Sequence, residues 1–189
     1  DPNLYQDHTE YERAQVFMFF MAILVGTIAG FGAVVFRGMI AFFHNLFFLG
    51  KLSVHYIATA HTAPSPWSWG IVFVPVIGAI IVAWLVKTFA PEAKGHGVPE
   101  VIYAIYHKSG FIRPVVAVVK SLASSLSIGT GGSIGREGPI IQIGAAFGSA
   151  LGTWIKMPDR QRVVLIAAGA GGGIAATFNA PLGGFAFAI

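Results

Sequence analysis

Two ionisable side chains, Arg136 and Glu137, stand next to each other in a glycine-rich segment, residues 129–139, inside an apolar part of the chain. A charged side chain at membrane depth costs roughly 2.5–3.5 kcal/mol on insertion scales, so such residues are seldom incidental. The segment ends in Pro139, and a proline after flexible residues opens a helix whose first N–H groups are free. Free amides at a positive helix end attract anions, and a carboxylate at the same place competes with them. This chemistry predicts an anion pathway with an acidic gate.

Two further helix openings occur in apolar surroundings. Residues 95–100 read Gly-His-Gly-Val-Pro-Glu, and residues 178–181 read Phe-Asn-Ala-Pro. In each, flexible or capping residues precede a proline that suits the first helical turn. In membrane transporters, short helices interrupted by glycine or proline aim their N-termini at an anion near the middle of the bilayer. We therefore expect broken helices around a binding site.

The composition indicates a membrane protein. The chain is 55% hydrophobic and only 11% charged, with a mean hydropathy of +0.72, whereas soluble domains average about 25% charged residues. No charged residue interrupts Ala14–Phe36 or Val163–Ile189, and each run exceeds the ~20 residues of a spanning helix. The first run is too long for a cleavable signal peptide. The net charge of +4 is spread over loops and helix ends, so we expect no nucleic-acid partner.

The whole chain, residues 1–189, is predicted to be one membrane domain. A surface segment, residues 1–13, precedes membrane helices over residues 14–189. The first long helix is predicted over Ala14–Phe48, with an interruption at Arg37 near one interface. The further predicted helices are Trp67–Val86, the short Val98–Tyr106, Pro114–Ile128, Gly138–Ile155, Val163–Thr177 and one that begins at Pro181.

Other residues indicate how these helices sit and pack. Trp67 and Trp69 are typical of an anchor at the membrane interface. Lys87 and Lys94 follow the second span and favour a cytoplasmic N-terminus. Close helix packing is the predicted role of the glycines in the later helices: Gly144, Gly148, Gly152 and those within residues 169–173.

Taken together, the three helix openings resemble those of the CLC chloride channels and chloride/proton antiporters. The Gly-Arg-Glu-Gly-Pro signature of that family stands unaltered at residues 135–139 and continues into Gln142. Residues 95–99 match its Gly-x-Gly-Ile-Pro turn with Val98 in place of isoleucine, and residues 178–185 match its third segment. The resemblance covers essentially the whole chain. It implies an all-α, polytopic membrane protein of tilted and broken transmembrane helices, in which this chain matches the first of two inverted repeats and the second is absent.

The resemblance also implies roles for matching residues. Glu137 resembles the gating glutamate, whose carboxylate occupies an anion site when ionised and swings away when protonated. Lys120 resembles a buried lysine that makes the pathway more positive. His96 stands in the inner and central site, where the family commonly has a serine. The implied anion-binding residues are Gly95, His96, Gly97, Val98, Pro99, Gly135, Arg136, Glu137, Gly138 and Pro139.

The function implied by the resemblance is transmembrane transport of chloride or a similar small anion, as exchange for protons gated by Glu137. The alternatives are a passive chloride channel and a carrier of another anion such as nitrate or fluoride. We expect no enzymatic activity, cofactor or metal, and we expect a multi-pass protein of a prokaryotic inner or plasma membrane. The expected partners are small anions, protons, the bilayer and a second copy in a homodimer, through the C-terminal helices and those of the absent repeat. The chain alone is not expected to complete the anion site.

Two readings stay open for the polar residues of this pathway. The imidazole of His96 either faces the anion or turns away, leaving the backbone to make the contact. Lys120 either faces the pathway or extends along apolar surface to an interface.

Three other classes of site fit the sequence poorly. A phosphate-binding loop needs Lys and then Ser or Thr after its last glycine, whereas Arg136 and Glu137 follow here. A metal site is disfavoured because the candidate histidines lack a ligand spacing: His55, His61, His96 and His107. An intramembrane hydrolase would need a base beside a serine, and we expect no histidine within the spans. The available serines are therefore expected to make packing hydrogen bonds: Ser121, Ser124, Ser125, Ser127 and Ser133.

Overall fold

A computed structural model describes residues 2–55 and 65–189, with side chains from residue 12 onwards. Its α-helices are α1 (Pro2–Leu49), α2 (Phe73–Phe89), α3 (Val98–His107), α4 (Pro114–Gly129), α5 (Glu137–Trp154), α6 (Asp159–Phe178) and α7 (Pro181–Ala188). Two short 3-10 helices, Ser68–Val72 and Pro91–Ala93, flank α2. The described residues contain no strand, and the predicted all-α fold is confirmed. His61 lies outside the described residues.

The first helix differs from the prediction. We expected an interruption at Arg37, but α1 runs without a break from Pro2 to Leu49. Arginine has a high helix propensity and no proline follows Pro2 in this stretch, so nothing in the local sequence stops the helix. Residues 2–13 belong to the same helix, and their position at the membrane surface stays a prediction.

The other helices begin and end close to the predicted positions. Prolines mark several starts, because Pro114 and Pro181 are the first residues of α4 and α7 and Pro99 is the second of α3. The second span begins at Ser68 as a 3-10 helix, and α2 then continues to Phe89. Among the described residues, three helical stretches are long and apolar enough to cross a membrane: Glu12–Leu49, Ser68–Phe89 and Asp159–Phe178. The helix α4 is apolar but shorter.

Glycines hold α5 and α6 in backbone contact. A methyl group on Gly144 would collide with the carbonyl oxygen of Gly169, and a methyl group on Gly169 would collide with that of Gly144. A Cβ on Gly172 would likewise lie 2.9 Å from the Cα of Gly26, where α6 meets α1. These glycines therefore have the packing role that the sequence predicts. The contact fixes α5, whose first residues belong to the candidate site.

An apolar core joins α3, α4 and α5. Val101, Val116 and Ala145 are buried in it, one from each of these helices. The outer faces of the helices instead expose large apolar side chains, among them Phe31 and Trp69. Apolar outer faces are expected where lipid replaces water as the solvent.

Candidate functional site

The first turn, residues 95–99, leads into α3 and requires its glycines. Gly95 and Gly97 have φ angles of +91° and +99°, in the left-handed region that residues with a Cβ rarely adopt. The backbone N–H of Gly97 donates to Oε2 of Glu100 at 2.7 Å, which satisfies a donor at the start of the helix. The carboxylate of Glu100 thus folds back over its own turn and caps α3.

The second turn, residues 135–139, leads into α5. After α4 ends at Gly129, Gly131 turns the chain with a φ of +90°, and Gly132 donates to the carbonyl oxygen of Ser127 at 2.8 Å. Glu137 is the first residue of α5. The first N–H groups of this helix have no partner within it, because an α-helix leaves its first four donors free.

The two turns touch through their backbones. A methyl group on Gly97 would collide with the carbonyl oxygen of Gly138, and a methyl group on Gly138 would collide with the carbonyl oxygen of His96. The starts of α3 and α5 therefore lie at one place in the fold, although about 40 residues of chain separate them. Two positive helix ends converge there.

Both turns line one cavity of about 530 Å³, here called the shared cavity. Seven of the ten predicted anion-binding residues line it: Gly95, His96, Val98, Gly135, Glu137, Gly138 and Pro139. Gly97 is buried in the contact between the turns. Pro99 lines a second cavity, and Arg136 lines a third. The structure brings the predicted residues together, and their role in anion binding stays a prediction.

Lys120 lines the shared cavity from α4. Lys120 is only 4% exposed. Its Nζ donates to the carbonyl oxygens of Ala93 at 2.9 Å and Gly95 at 2.8 Å. The ammonium group therefore binds the first turn and does not extend to a surface. An ammonium group has three N–H donors. Two of them hold the turn, and the third remains for the cavity.

Glu137 stands between two cavities. It lines the shared cavity and also the third cavity, of about 620 Å³, here called the arginine cavity because Arg37 and Arg136 line it. The carboxylate folds back over Gly135, so a methyl group added to that glycine would collide with Oε2 of Glu137. Within the described part of the chain, the carboxylate of Glu137 has no hydrogen bond and no ion pair.

Gln142 is a buried polar residue close to the second turn, and the sequence did not predict its contacts. It lies in α5 just after the second turn, is buried, and donates from Nε2 to the carbonyl oxygen of Glu92 at 3.3 Å. Its only signal in the sequence is a polar residue continuing the signature motif. The Glu92 carboxylate in turn accepts a hydrogen bond from Arg113 at 2.6 Å. Partial burial raises the pKa of Glu92, but the hydrogen bond and charge of Arg113, together with Lys108, outweigh burial and lower this pKa overall.

The third predicted opening, residues 178–181, lies apart from both cavities. Asn179 ends α6 in the left-handed conformation, with φ 53° and ψ 39°, and Pro181 starts α7. Near this end, Nη2 of Arg37 donates to the carbonyl oxygen of Thr177 at 3.3 Å. The third opening thus contributes a helix end that Arg37 reaches.

Among the serines of α4, Ser121 and Ser125 donate within their own helix, while Ser124 and Ser127 line the shared cavity, so the packing role between helices stays a prediction. Ser121 Oγ donates to the carbonyl oxygen of Ala117 at 2.7 Å, and Ser125 Oγ donates to that of Ser121. The expectation that no histidine lies in a span is wrong, since His44 lies inside α1 and stacks on Phe48 with ring centroids 4.9 Å apart. Among the described residues no group of three or more metal-ligating side chains comes together.

Comparison with known proteins decides the family. The sequence model of the voltage gated chloride channel family matches residues 78–189, which include both turns. The chain belongs to this family. The predictions that the chain belongs to a CLC-type family, is an integral membrane protein and is not an enzyme are confirmed by this membership.

Individual members of the voltage gated chloride channel family are similar over most of the chain. The H(+)/Cl(-) exchange transporter ClcA of Vibrio parahaemolyticus is 35% identical over 182 residues, covering 89% of this chain and 35% of the relative. The ClcA of Cronobacter sakazakii is 36% identical over 177 residues, with the same two coverages. The ClcA of Salmonella schwarzengrund is 33% identical over 183 residues, covering 94% of this chain and 37% of the relative. The chain thus spans little more than a third of the length of these relatives.

Proposed function

We propose that this chain is part of a protein that exchanges chloride for protons across a bacterial inner membrane, with Glu137 as the gate. The observation that carries the proposal is the position of Glu137, an unpartnered carboxylate at the start of α5 between two cavities. The relatives support it, because they are bacterial and are named H(+)/Cl(-) exchange transporters. Anions, protons and the bilayer are then the partners of this site.

The proposed gate works by competition for one positive place. The free N–H groups at the start of α5 attract a negative charge, and either chloride or the ionised carboxylate of Glu137 supplies it. Protonation removes the charge of the carboxylate, so the side chain loses its attraction and the anion takes its place. Each proton that reaches Glu137 thereby admits chloride, which couples the two fluxes.

His96 bears on which anion is carried. His96 lines the shared cavity beside Gly95, at the position where the family resemblance implies a serine. An imidazole N–H is a hydrogen-bond donor, as a hydroxyl group is, but it is placed farther from the backbone. Chloride remains the proposed substrate, and nitrate or fluoride carriage is the alternative that His96 keeps open.

The test is the substitution Glu137→Gln in the full-length protein, reconstituted in liposomes. Glutamine resembles the protonated acid and cannot release a proton, so we expect proton movement to stop while chloride flux persists at every pH. Chloride efflux and proton uptake are measured together between acidic and neutral pH. A mutant that kept the wild-type pH dependence of chloride flux would show that Glu137 is not the gate.

Glu100→Gln is the matched control. Glu100 is the corresponding carboxylate of the first turn, and a glutamine oxygen still accepts the hydrogen bond from Gly97. We expect this variant to keep coupled proton movement and pH-dependent flux. If both variants lost pH dependence, the coupling could not be assigned to Glu137.

The second copy in a homodimer also stays a proposal. Leu182 and Phe185 in α7 are exposed apolar side chains, and α7 is the C-terminal helix that the resemblance directs towards such a contact. Cross-linking of the full-length protein in native membranes through cysteines placed at these positions would produce a dimer band if α7 forms the contact.

A further inference from the structure

The arginine cavity has an unusual composition for a membrane helix protein. Its polar lining consists of Arg37 from α1 and Arg136 and Glu137 from the second turn, and the other side chains that line it are apolar. In the described residues neither arginine forms an ion pair with Glu137. Two guanidinium groups and one carboxylate leave this cavity with an excess of positive charge.

Arg37 is the part of this arrangement that the family signature does not include. It is the first charged residue of α1 after Arg13. Its charge therefore lies within the long apolar part of that helix. Charged residues inside membrane helices almost always face a protein interior or a water-filled cavity and mark ion pathways. The one hydrogen bond of its guanidinium, to the carbonyl oxygen of Thr177, is long at 3.3 Å. A guanidinium has five N–H donors, so most of them remain for the cavity.

Arg37 and Lys120 line two different cavities, both of which Glu137 also lines. Lys120 lines only the shared cavity and Arg37 lines only the arginine cavity, whereas Glu137 lines both. Lys120 is buried and bound to two carbonyl oxygens, but Arg37 is exposed to its cavity and weakly bound. The two cations therefore have different tasks, one holding a turn and the other facing an open space beside the gate.

We propose that Arg37 recruits the anion into the arginine cavity, which Glu137 lines and Lys120 does not. The inference rests on the proposed function, since it assigns a recruiting residue to the same gate. A cavity with low-dielectric walls and charge of one sign focuses the electric field and raises the local concentration of counter-ions. Chloride held near Arg37 stands next to Glu137 and replaces its carboxylate when that group is protonated.

A purely structural role for Arg37 makes a different prediction. The guanidinium of Arg37 also reaches the C-terminal end of α6, where a positive side chain bonds the last carbonyl groups and stabilises the helix. Two substitutions separate charge from hydrogen bonding. Arg37→Lys keeps the charge but loses the planar fork, and Arg37→Gln keeps an N–H donor but loses the charge.

The experiment measures chloride flux of the full-length protein in liposomes against chloride concentration, at low and high ionic strength set with an impermeant salt. We expect Arg37→Gln to raise the half-saturating chloride concentration by roughly tenfold, the low end of what a focused field adds to counter-ion association. This difference should shrink at high ionic strength because salt screens the charge. Arg37→Lys should stay close to the wild type.

Two results would overturn the recruiting role. One is a wild-type chloride dependence in Arg37→Gln, and the other is an equal defect in both variants that does not change with ionic strength. If the wild type moved no chloride at all, the proposed function would fail separately. Chloride titration of the detergent-purified variants by calorimetry would then decide on Arg37 by the same comparison of affinities.

Discussion

The two glycine turns differ in how firmly their charged neighbours are held. Beside the first turn, Lys120 donates to two carbonyl oxygens, and the carboxylate of Glu100 accepts the N–H of Gly97. Beside the second turn, the side chains of Arg136 and Glu137 have no hydrogen bond or ion pair to any described residue. The charged groups beside the first turn are held by hydrogen bonds, whereas those of the second turn have no such partner among the described residues.

This difference agrees with the different tasks that the proposed mechanism gives to the two turns. A binding site needs donors that keep their geometry when the ligand arrives, because preorganised dipoles do not have to reorganise. A gate needs a side chain with two positions of similar free energy. Backbone contact between Gly97 and Gly138 places the proposed gate directly against the first turn.

The largest effect is expected from Gly138→Ala, which breaks the contact between the turns. The added methyl group would collide with the carbonyl oxygen of His96, and the backbone cannot yield as a flexible side chain would. We expect destabilisation of about 1–3 kcal/mol, as for other overpacked sites, and loss of most chloride flux. Thermal unfolding in detergent and flux from liposomes measure the two effects.

Gly38→Ala is the control for this substitution. Gly38 lies in α1, and no atom lies within 4 Å of its Cβ position. Alanine is also the better helix former there, so stability and flux should be at least those of the wild type. Normal flux through Gly138→Ala, with Gly38→Ala unchanged, would mean that the turns need not touch during transport.

A smaller effect is expected from His96→Ser, which sharpens the comparison at the first turn. The backbone of this turn is fixed by Gly95 and Gly97, so the substitution should alter the donor in the shared cavity without altering the fold. We expect the relative flux of chloride, nitrate and fluoride to change roughly two- to tenfold, as one hydrogen bond of about 0.5–1.5 kcal/mol would do.

Anion-replacement flux measures this selectivity, with His55→Ser in the exposed loop as the matched control. Unchanged selectivity in His96→Ser would show that the imidazole turns away from the pathway and that the backbone alone contacts the anion.

The smallest effect is expected from Glu92→Gln, which removes the ion pair that the Glu92 carboxylate forms with Arg113 just before the first turn. The pair of Glu92 and Arg113 is partly exposed, and such pairs contribute only about 0.2–1 kcal/mol. Because the folded protein has the lower pKa at Glu92, this stability is present above the ordinary carboxyl pKa and is lost as pH falls through the folded value. Unfolding midpoints of Glu92→Gln, Arg113→Gln and the double variant measure it at neutral and acidic pH. A coupling that persisted in acid would not come from the ionised pair.

The sequence predicts the helices well because local signals set them. Long apolar runs and the prolines at the starts of α4 and α7 belong to the chain itself, so the bounds of these helices could be read directly. Arg37 was misread as an interruption because charge in an apolar run indicates an interface more often than a cavity. Only the fold shows that this side chain lines a cavity beside Glu137.

The contacts of the candidate site could be predicted only in part. The motifs identified the turns. The close backbone contact between Gly97 and Gly138, however, depends on how α3 and α5 pack together, which no local pattern encodes. The carbonyl oxygens that bind Lys120 and the hydrogen bond from Gln142 to Glu92 are likewise long-range. Backbone acceptors leave no trace in residue identity, so these contacts had no signal to find.

The hydrogen bonds of Lys120 also bear on how the chain enters the membrane during synthesis. α4 is too short to count among the three helices that span by length and apolarity, and a lysine at its centre adds a cost of roughly 2.5–3.5 kcal/mol to insertion. The carbonyl oxygens that bind it lie 27 and 25 residues earlier in the chain. They leave the ribosome first. When α4 emerges, these carbonyl oxygens, which follow α2 in the chain, have already been synthesised. We therefore expect α2 and α4 to enter the bilayer as a pair.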